Sequence, residues 1–233
     1  MTAIGEDAFY YTDATSVTLP ETIERIEYGG FMSCPITSIE LPSGLKYIGG
    51  YAFSSTDLTE ITIPASVVEI GDDAFFTCYS LASITFNEGL KKLGGSIFYK
   101  CPLVNVTLPE SLEEVGKNTF MNCASLESVK LPSSLKAIGS GMFYECAVLK
   151  SVEIPSTVTS IGDEAFLGCT SLTSLNIPAA VEELGTGIIA RSGVATLTID
   201  EGNTNFHIED GVLYSADNRL LYAIPQKGLE EVS

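Results

Sequence analysis

The residues best equipped for chemistry are six cysteines, one histidine and a surplus of carboxylates. They are Cys34, Cys78, Cys101, Cys123, Cys146, Cys169 and His207, with 30 Asp and Glu against 12 Lys and Arg. A thiol becomes a nucleophile or a metal ligand as thiolate, which needs a base, a cation or a metal beside it. Here there is neither a C-x-x-C pair nor a histidine near any cysteine, so zinc-type spacing is absent, and one histidine leaves little scope for His-based catalysis. An even count would ordinarily suggest disulfides. Yet each cysteine lies three residues after a phenylalanine, and the equivalent places elsewhere hold Thr12, Thr56 and Ser192. Small size is the common requirement, which predicts a buried ladder of weakly polar side chains. Parallel side-chain vectors in a stack do not suit disulfide geometry. Reduced thiols fit the cytosol or an anaerobic exterior better than an oxidising compartment. Acidic pairs such as Asp72-Asp73 and Asp163-Glu164 lack the spacing of a dedicated calcium loop. A carboxylate pair for glycoside hydrolysis would need a cleft that regular short corners do not build. The chain is therefore expected to be no enzyme, with no cofactor and no metal.

The phase of the cysteines belongs to the whole chain. Pro20, Pro42, Pro64, Pro109, Pro132, Pro155 and Pro178 fall on a period of 22 to 23 residues, as do Phe9, Phe31, Phe53, Phe75, Phe98, Phe120, Phe143 and Phe166, followed by Ile189. Gly5, Gly49, Gly71, Gly94, Gly116, Gly139, Gly162 and Gly185 keep the same beat, with Glu27 the one departure. The unit reads L-x-x-[IV]-x-[LI]-P-x-x-[LV]-x-x-I-G-x-x-A-F-x-x-C, nine times over. Such a period is the mark of a solenoid, in which a unit too small to bury its own apolar face stacks on its neighbours. Val152 and Ile154 alternate with polar residues as in a strand with one buried face, and Pro155 ends the ladder for want of an N–H. The second apolar pair, Val158 and Ile161, leads to Gly162, expected at a left-handed corner. One helical turn would then point Ala165, Phe166 and Cys169 inward, giving a spine of one phenylalanine per coil.

These motifs, above all I-G-x-x-A-F-x-x-C, resemble the BspA-like class of leucine-rich repeats over essentially the whole chain. The resemblance implies an α/β leucine-rich-repeat solenoid, right-handed and β-dominated, with parallel strands on a concave face and short helical or 3₁₀ turns outside. It further implies protein binding or adhesion at the surface of an anaerobic bacterium rather than catalysis. Residues 1–233 are expected to form a single solenoid of about nine to ten repeats with a hairpin insertion near 200–224. There Asp210-Gly211 is a turn signal between Val212-Leu213-Tyr214 and Leu220-Leu221-Tyr222 strands, and the rhythm is expected to resume at Gly228-Leu229. Both ends fall inside a repeat, so a piece of a longer protein is expected.

On this layout the polar strand positions form two columns that are the expected binding surface. The first includes Ser38, Glu60, Ser83, Asn105, Ser128, Ser151 and Ser174; the second includes Glu40, Thr62, Thr85, Thr107, Lys130, Glu153 and Asn176. It is a carpet of short neutral side chains, without the large aromatics that usually anchor interfaces. A protein or a glycan could bind there, or nothing could. Glu127 and Lys150 occupy equal places in adjacent coils, as do Lys130 and Glu153, so both pairs are expected to bridge. A third feature is the residue after each repeat phenylalanine (Tyr10, Met32, Phe76, Tyr99, Met121, Tyr144, Leu167), expected on the flank of the coil as packing or as an apolar stripe. The readings left standing are a binding module, a structural spacer or stalk, and a glycan-binding module attached to an enzyme.

The net charge of −18 disfavours nucleic acid and anionic membrane as partners, and no apolar run approaches the ~18 residues of a membrane span. The acidic residues are expected at repeat corners and after the prolines, as in Glu69, Glu110, Glu113-Glu114 and Glu182-Glu183. That places them as a solubility coat around a nearly neutral inner face.

Overall fold

A computed structural model describes residues 2–217 and 219–223; the expected return of the rhythm at Gly228-Leu229 lies outside them. The chain is a parallel β-solenoid of about nine turns, matching a leucine-rich-repeat solenoid. One coil shows why these residues make these elements. Glu60–Ile63 alternates exposed and buried side chains, and Pro64 ends it. Val67 N–H then closes a tight turn on the Pro64 carbonyl at 3.1 Å. A second, two-residue strand Glu69–Ile70 follows, then Gly71, then an arc from Asp73 to Cys78 that leads through Leu81 to the next coil.

Each coil therefore has two strand sides and one arc, and neighbouring coils hydrogen-bond along all three. The broad side pairs Glu60–Ile63 with Ser83–Phe86 in parallel register, joins Asn105–Thr107, Ser128–Lys130 and Ser151–Val152, and pairs Ser174–Ile177 with Thr196–Ile199. The narrow side runs Ala3–Ile4, Arg25–Ile26, Tyr47–Ile48, Glu69–Ile70, Lys92–Leu93 and Glu114–Val115, and resumes over Ala137–Ile138, Ser160–Ile161 and Glu183–Leu184. This second ladder corresponds to what the sequence offers only as a short apolar pair.

The arc is not helical. No α- or 3₁₀-helix occurs among the described residues, and the cause is visible in the N–H groups. Asp73, Phe75 and Thr77 donate sideways to Gly95, Ile97 and Tyr99 of the next coil at 2.9, 3.1 and 2.9 Å. Phe76 and Cys78 donate three residues back, to Asp73 and Phe75. A helix would need every N–H within the segment; here alternate ones serve the neighbour. The alternation is produced by two left-handed residues per coil, such as Asp73 at φ 57° and Thr77 at φ 54°. Asp, Asn, Ser and Gly recur at these places because they visit that region at least cost. Ala165, Phe166 and Cys169 do all point inward, but through Glu164 at φ 55° and Gly168 at φ 74°.

The glycine column also has a different origin from the one expected. Gly162 is not among the left-handed residues. A Cβ there would stand 2.5 Å from Ser140 N of the preceding coil, and one on Gly116 would stand 2.3 Å from Gly95 N. Close approach of two backbones, not a left-handed turn, selects glycine at this corner.

Inside, seven phenylalanines from Phe31 to Phe166 are fully buried. Phe9 and these seven stack ring on ring, with centroids 4.9 to 5.8 Å apart and planes within 17°. Beyond the ninth coil an antiparallel meander departs from the repeat: Phe206–Glu209, Val212–Ser215 and Leu220–Ala223. Asp210 and Gly211 form its two-residue turn with φ 48° and 73°, the geometry that favours Asp-Gly in tight hairpins.

Two glycines separate these causes experimentally. Gly116→Ala should destabilise by about 1–3 kcal/mol through overpacking, whereas Gly5→Ala, with nothing within 4 Å of its Cβ, should leave the denaturation midpoint unchanged. Urea titration of both variants checks this.

Candidate functional site

The expected surface residues do share one face. Glu60, Thr62, Ser83, Thr85, Asn105, Thr107, Lys130, Lys150, Ser151, Glu153, Ser174 and Asn176 are exposed on the broad side, and Glu127 and Ser128 are half-buried there. Ser38 and Glu40 are exposed too, but on an extended segment outside any ladder. Much of the carpet is internally bonded. Ser128 Oγ donates to Asn105 Oδ1 at 2.6 Å and Thr198 Oγ1 to Asn176 Oδ1 at 2.7 Å, while Asn176 Nδ2 donates to Asp200 Oδ1 at 2.9 Å.

Of the two expected ion pairs one forms. Lys150 Nζ reaches Glu127 Oε2 at 2.6 Å, but Lys130 turns away from Glu153 toward Glu110, at 3.7 Å. Glu110 is a fixed anion: the Ser133 N–H and hydroxyl donate to it at 2.8 and 2.9 Å and hold its carboxyl below the usual range, with Lys130 assisting. Among the described residues Glu153 is in no ion pair.

Glu153 stands at one of two interruptions of the broad sheet; the other lies between Ser83–Phe86 and Asn105–Thr107. The ladder ends at Ser151–Val152 and begins afresh at Ser174–Ile177. Two adjoining clefts lie here, of about 470 and 430 Å³, one along the paired strands Ser128–Lys130 and Ser151–Val152 and one across the break. They share Ser151, Glu153, Pro155 and Ser156, and reach Glu110 and Lys130 on one side and Asn176 and Asp200 on the other. The structure thus gathers one part of the two columns into a groove with a free carboxylate. Period and spacing carry no sign of the break, because the repeat runs through it unchanged.

The six thiols are free and fully buried. From Cys78 on, each donates to the carbonyl of a phenylalanine in the preceding coil, as Cys101 does to Phe75 at 3.1 Å and Cys123 to Phe98 at 3.0 Å. Where the column carries a hydroxyl, as at Thr56, the bond goes to the phenylalanine of its own coil, at 2.8 Å. The column is therefore a line of small donors to backbone carbonyls. Burial pushes the Cys101, Cys123 and Cys146 thiols well above the ordinary value and that of Cys169 up to about 12, the opposite of what a reactive thiolate needs. No group of three or more His, Cys, Asp and Glu side chains among the described residues could hold a metal.

The charges follow the second ladder rather than the corners alone. Glu69, Glu114 and Glu183 lie in narrow strands. Arg25, Tyr47, Glu69 and Lys92 face one another in register, with the Arg25 guanidinium 4.2 Å from the Tyr47 ring centroid and Lys92 3.2 Å from Glu69. Lys46–Glu24 and Lys91–Glu113 pair alongside. Of the stripe beyond the phenylalanines, Met32, Phe76, Tyr99, Met121 and Tyr144 are half-buried, Tyr10 is exposed and Leu167 is buried; Phe76 and Tyr99 stack at 4.7 Å. What the repeat scheme misses is a second cleft region at the glycine corners beside Tyr28, Tyr47 and Tyr51. The signal available was that only these coils carry tyrosine at those repeat positions.

Comparison with known proteins agrees with this architecture. Six copies of the BspA type leucine-rich repeat region match residues 2–123 and 91–216. A leucine-rich repeat protein of T. pallidum is 30% identical with a TM-score of 0.56, over 72% of this chain and 76% of that one. A leucine-rich cell surface protein of Faecalibacterium prausnitzii is 25% identical with a TM-score of 0.51, over 78% of this chain; the match spans 59% of that protein. The pneumococcal vaccine antigen PcpA, 24% identical over 87% of this chain and 68% of its own with a TM-score of 0.54, shares the fold. No curated protein matches. No described helix is long and apolar enough to cross a membrane.

The thiol column yields a direct expectation. A thiol reagent should find almost none of the six cysteines in the native protein and all six in denaturant without reductant. Cys123→Ser, which keeps a donor of similar size, should cost less than Cys123→Ala, which loses about 1 kcal/mol or more through the missing bond and the void; melting of the two variants checks the order.

Proposed function

The chain belongs to the BspA-type leucine-rich repeat family, and on that premise we propose that it is a non-catalytic binding module. Its target is a protein, and the exposed face of the broad sheet is the contact surface. The observation that carries this is the pair of adjoining clefts beside the break between Ser151–Val152 and Ser174–Ile177, where Ser151, Glu153, Pro155 and Ser156 serve both. A flat hydroxyl carpet offers a partner little to hold. The clefts add concave surface and Glu153, which is in no ion pair among the described residues. Binding energy in such surfaces concentrates in a few central side chains, and Lys130, Glu153, Ser174 and Asn176 are the central ones here.

A cell-surface or secreted setting is supported by the similarity to the F. prausnitzii leucine-rich cell surface protein. The six buried, reduced thiols suit a reducing or anaerobic exterior. Adhesion to host or microbial macromolecules is the corresponding role.

The test is binding of the purified chain to immobilised extracellular matrix proteins and to surface proteins of neighbouring bacteria, measured by biolayer interferometry. Ser151→Arg with Ser174→Arg, which fills the groove from exposed positions, should weaken capture at least about tenfold, that is ~1.4 kcal/mol. Glu182→Arg, on the narrow side, should leave it unchanged. Capture of none of these proteins would favour a spacer or stalk instead.

A further inference from the structure

We propose that the groove along the glycine corners from Tyr28 to Asn118 is a saccharide site, taking a short neutral oligosaccharide. It is separate from the broad face and does not rest on the function proposed above. Two clefts of about 380 and 340 Å³ share Asp72 and Asp73 and form one groove. Their size falls within the range of small-ligand sites. The floor is bare backbone, because a Cβ on Gly71, Gly94 or Gly116 would stand within 2.6 Å of the preceding coil.

The wall is aromatic at one end only. Tyr28 is 47% exposed and its ring lies 5.5 Å from that of Tyr51, tilted by 54°. Neither tyrosine is required by the repeat. The places of Tyr28 in later coils hold Gly50, Asp72, Gly95 and Lys117, and those of Tyr51 hold Asp73, Ser96 and Asn118. Tyr51 is moreover left-handed, at φ 54°, where glycine or asparagine would be less strained. Its ring also lies 6.4 Å from that of Phe76, which holds it in place at the groove wall. An aromatic ring with a polar tip suits the mixed apolar and hydroxylic faces of a sugar.

The polar lining has both signs. Asp72 Oδ1 accepts the Gly95 N–H at 2.7 Å, which fixes the exposed carboxylate beside the groove. Lys117 and Asn118 add donors at the other end, and Lys92 is held by Glu69 at 3.2 Å. Lysines on the lining oppose a cation, and the carboxylates with the net charge of −18 oppose an anion. A neutral polyhydroxylated ligand, each of whose hydroxyls both donates and accepts, fits the set.

The experiment is an array of uncharged hexose and N-acetylhexosamine oligomers, followed by calorimetry with the best retained oligomer. Binding should be insensitive to salt. Tyr28→Ala and Tyr51→Asn should each weaken it about tenfold, while Asn at the left-handed corner keeps the melting temperature within a few degrees. Glu153→Ala, in the other groove, should bind like the parent. The proposal is overturned by retention of no neutral oligomer at millimolar concentration, by unchanged affinity in both tyrosine variants, or by retention only of charged glycans in a salt-dependent manner.

Discussion

Everything in this molecule answers to one distance, the roughly 5 Å between one coil and the next. The stacked phenylalanines define it from inside, with centroids 4.9 to 5.8 Å apart. It is also the separation at which parallel backbones hydrogen-bond. The spine and the three ladders therefore reinforce each other, and no side of the coil can slip without opening the stack. Glycine at the corner is the residue that lets two backbones meet at this spacing. Cysteine beside the spine is small enough to sit under the next coil and still reach a phenylalanine carbonyl.

The same constraint limits where function can reside. All buried side-chain nitrogens and oxygens among the described residues find a partner, and the thiols are consumed as internal donors. Chemistry is left to exposed columns, and those are built laterally: Glu24 with Lys46, Lys91 with Glu113, Lys150 with Glu127. At more than about a third exposed, such bridges are screened and contribute little stability. Their effect is to make most of the surface self-satisfied. Two places that escape this stand out among the described residues: the interrupted broad ladder around Glu153, and the glycine groove beneath Tyr28 and Tyr51. Both arise where the repeat's regularity lapses, one in hydrogen bonding and one in residue type.

Much of this was legible in the amino-acid order. The period, the burial of the phenylalanines from Phe31 to Phe166 at the repeat position, the strand ended by proline and the inward cysteines follow from residue type and spacing, because each repeat position sees the same environment coil after coil; the Asp210-Gly211 hairpin follows from its turn residues alone. The errors came where one pattern has two physical causes. Ala165-Phe166-x-x-Cys169 points inward from a helical turn or from an arc with two left-handed residues. A recurrent glycine serves a left-handed turn or a close backbone approach. Lys130 can pair across to Glu153 or along to Glu110.

The stacking of these coils, the side chains that enter the core and the structural place of the thiols are written into the residue order. Periodicity encodes local environment, and local environment recurs with the repeat. The non-helical arc, the charges along the second ladder and the positions where the broad sheet breaks arise only when the coils are assembled. These depend on which neighbour each N–H and each lysine actually reaches, and that choice is made between coils 22 or 23 residues apart, beyond anything a single repeat can specify.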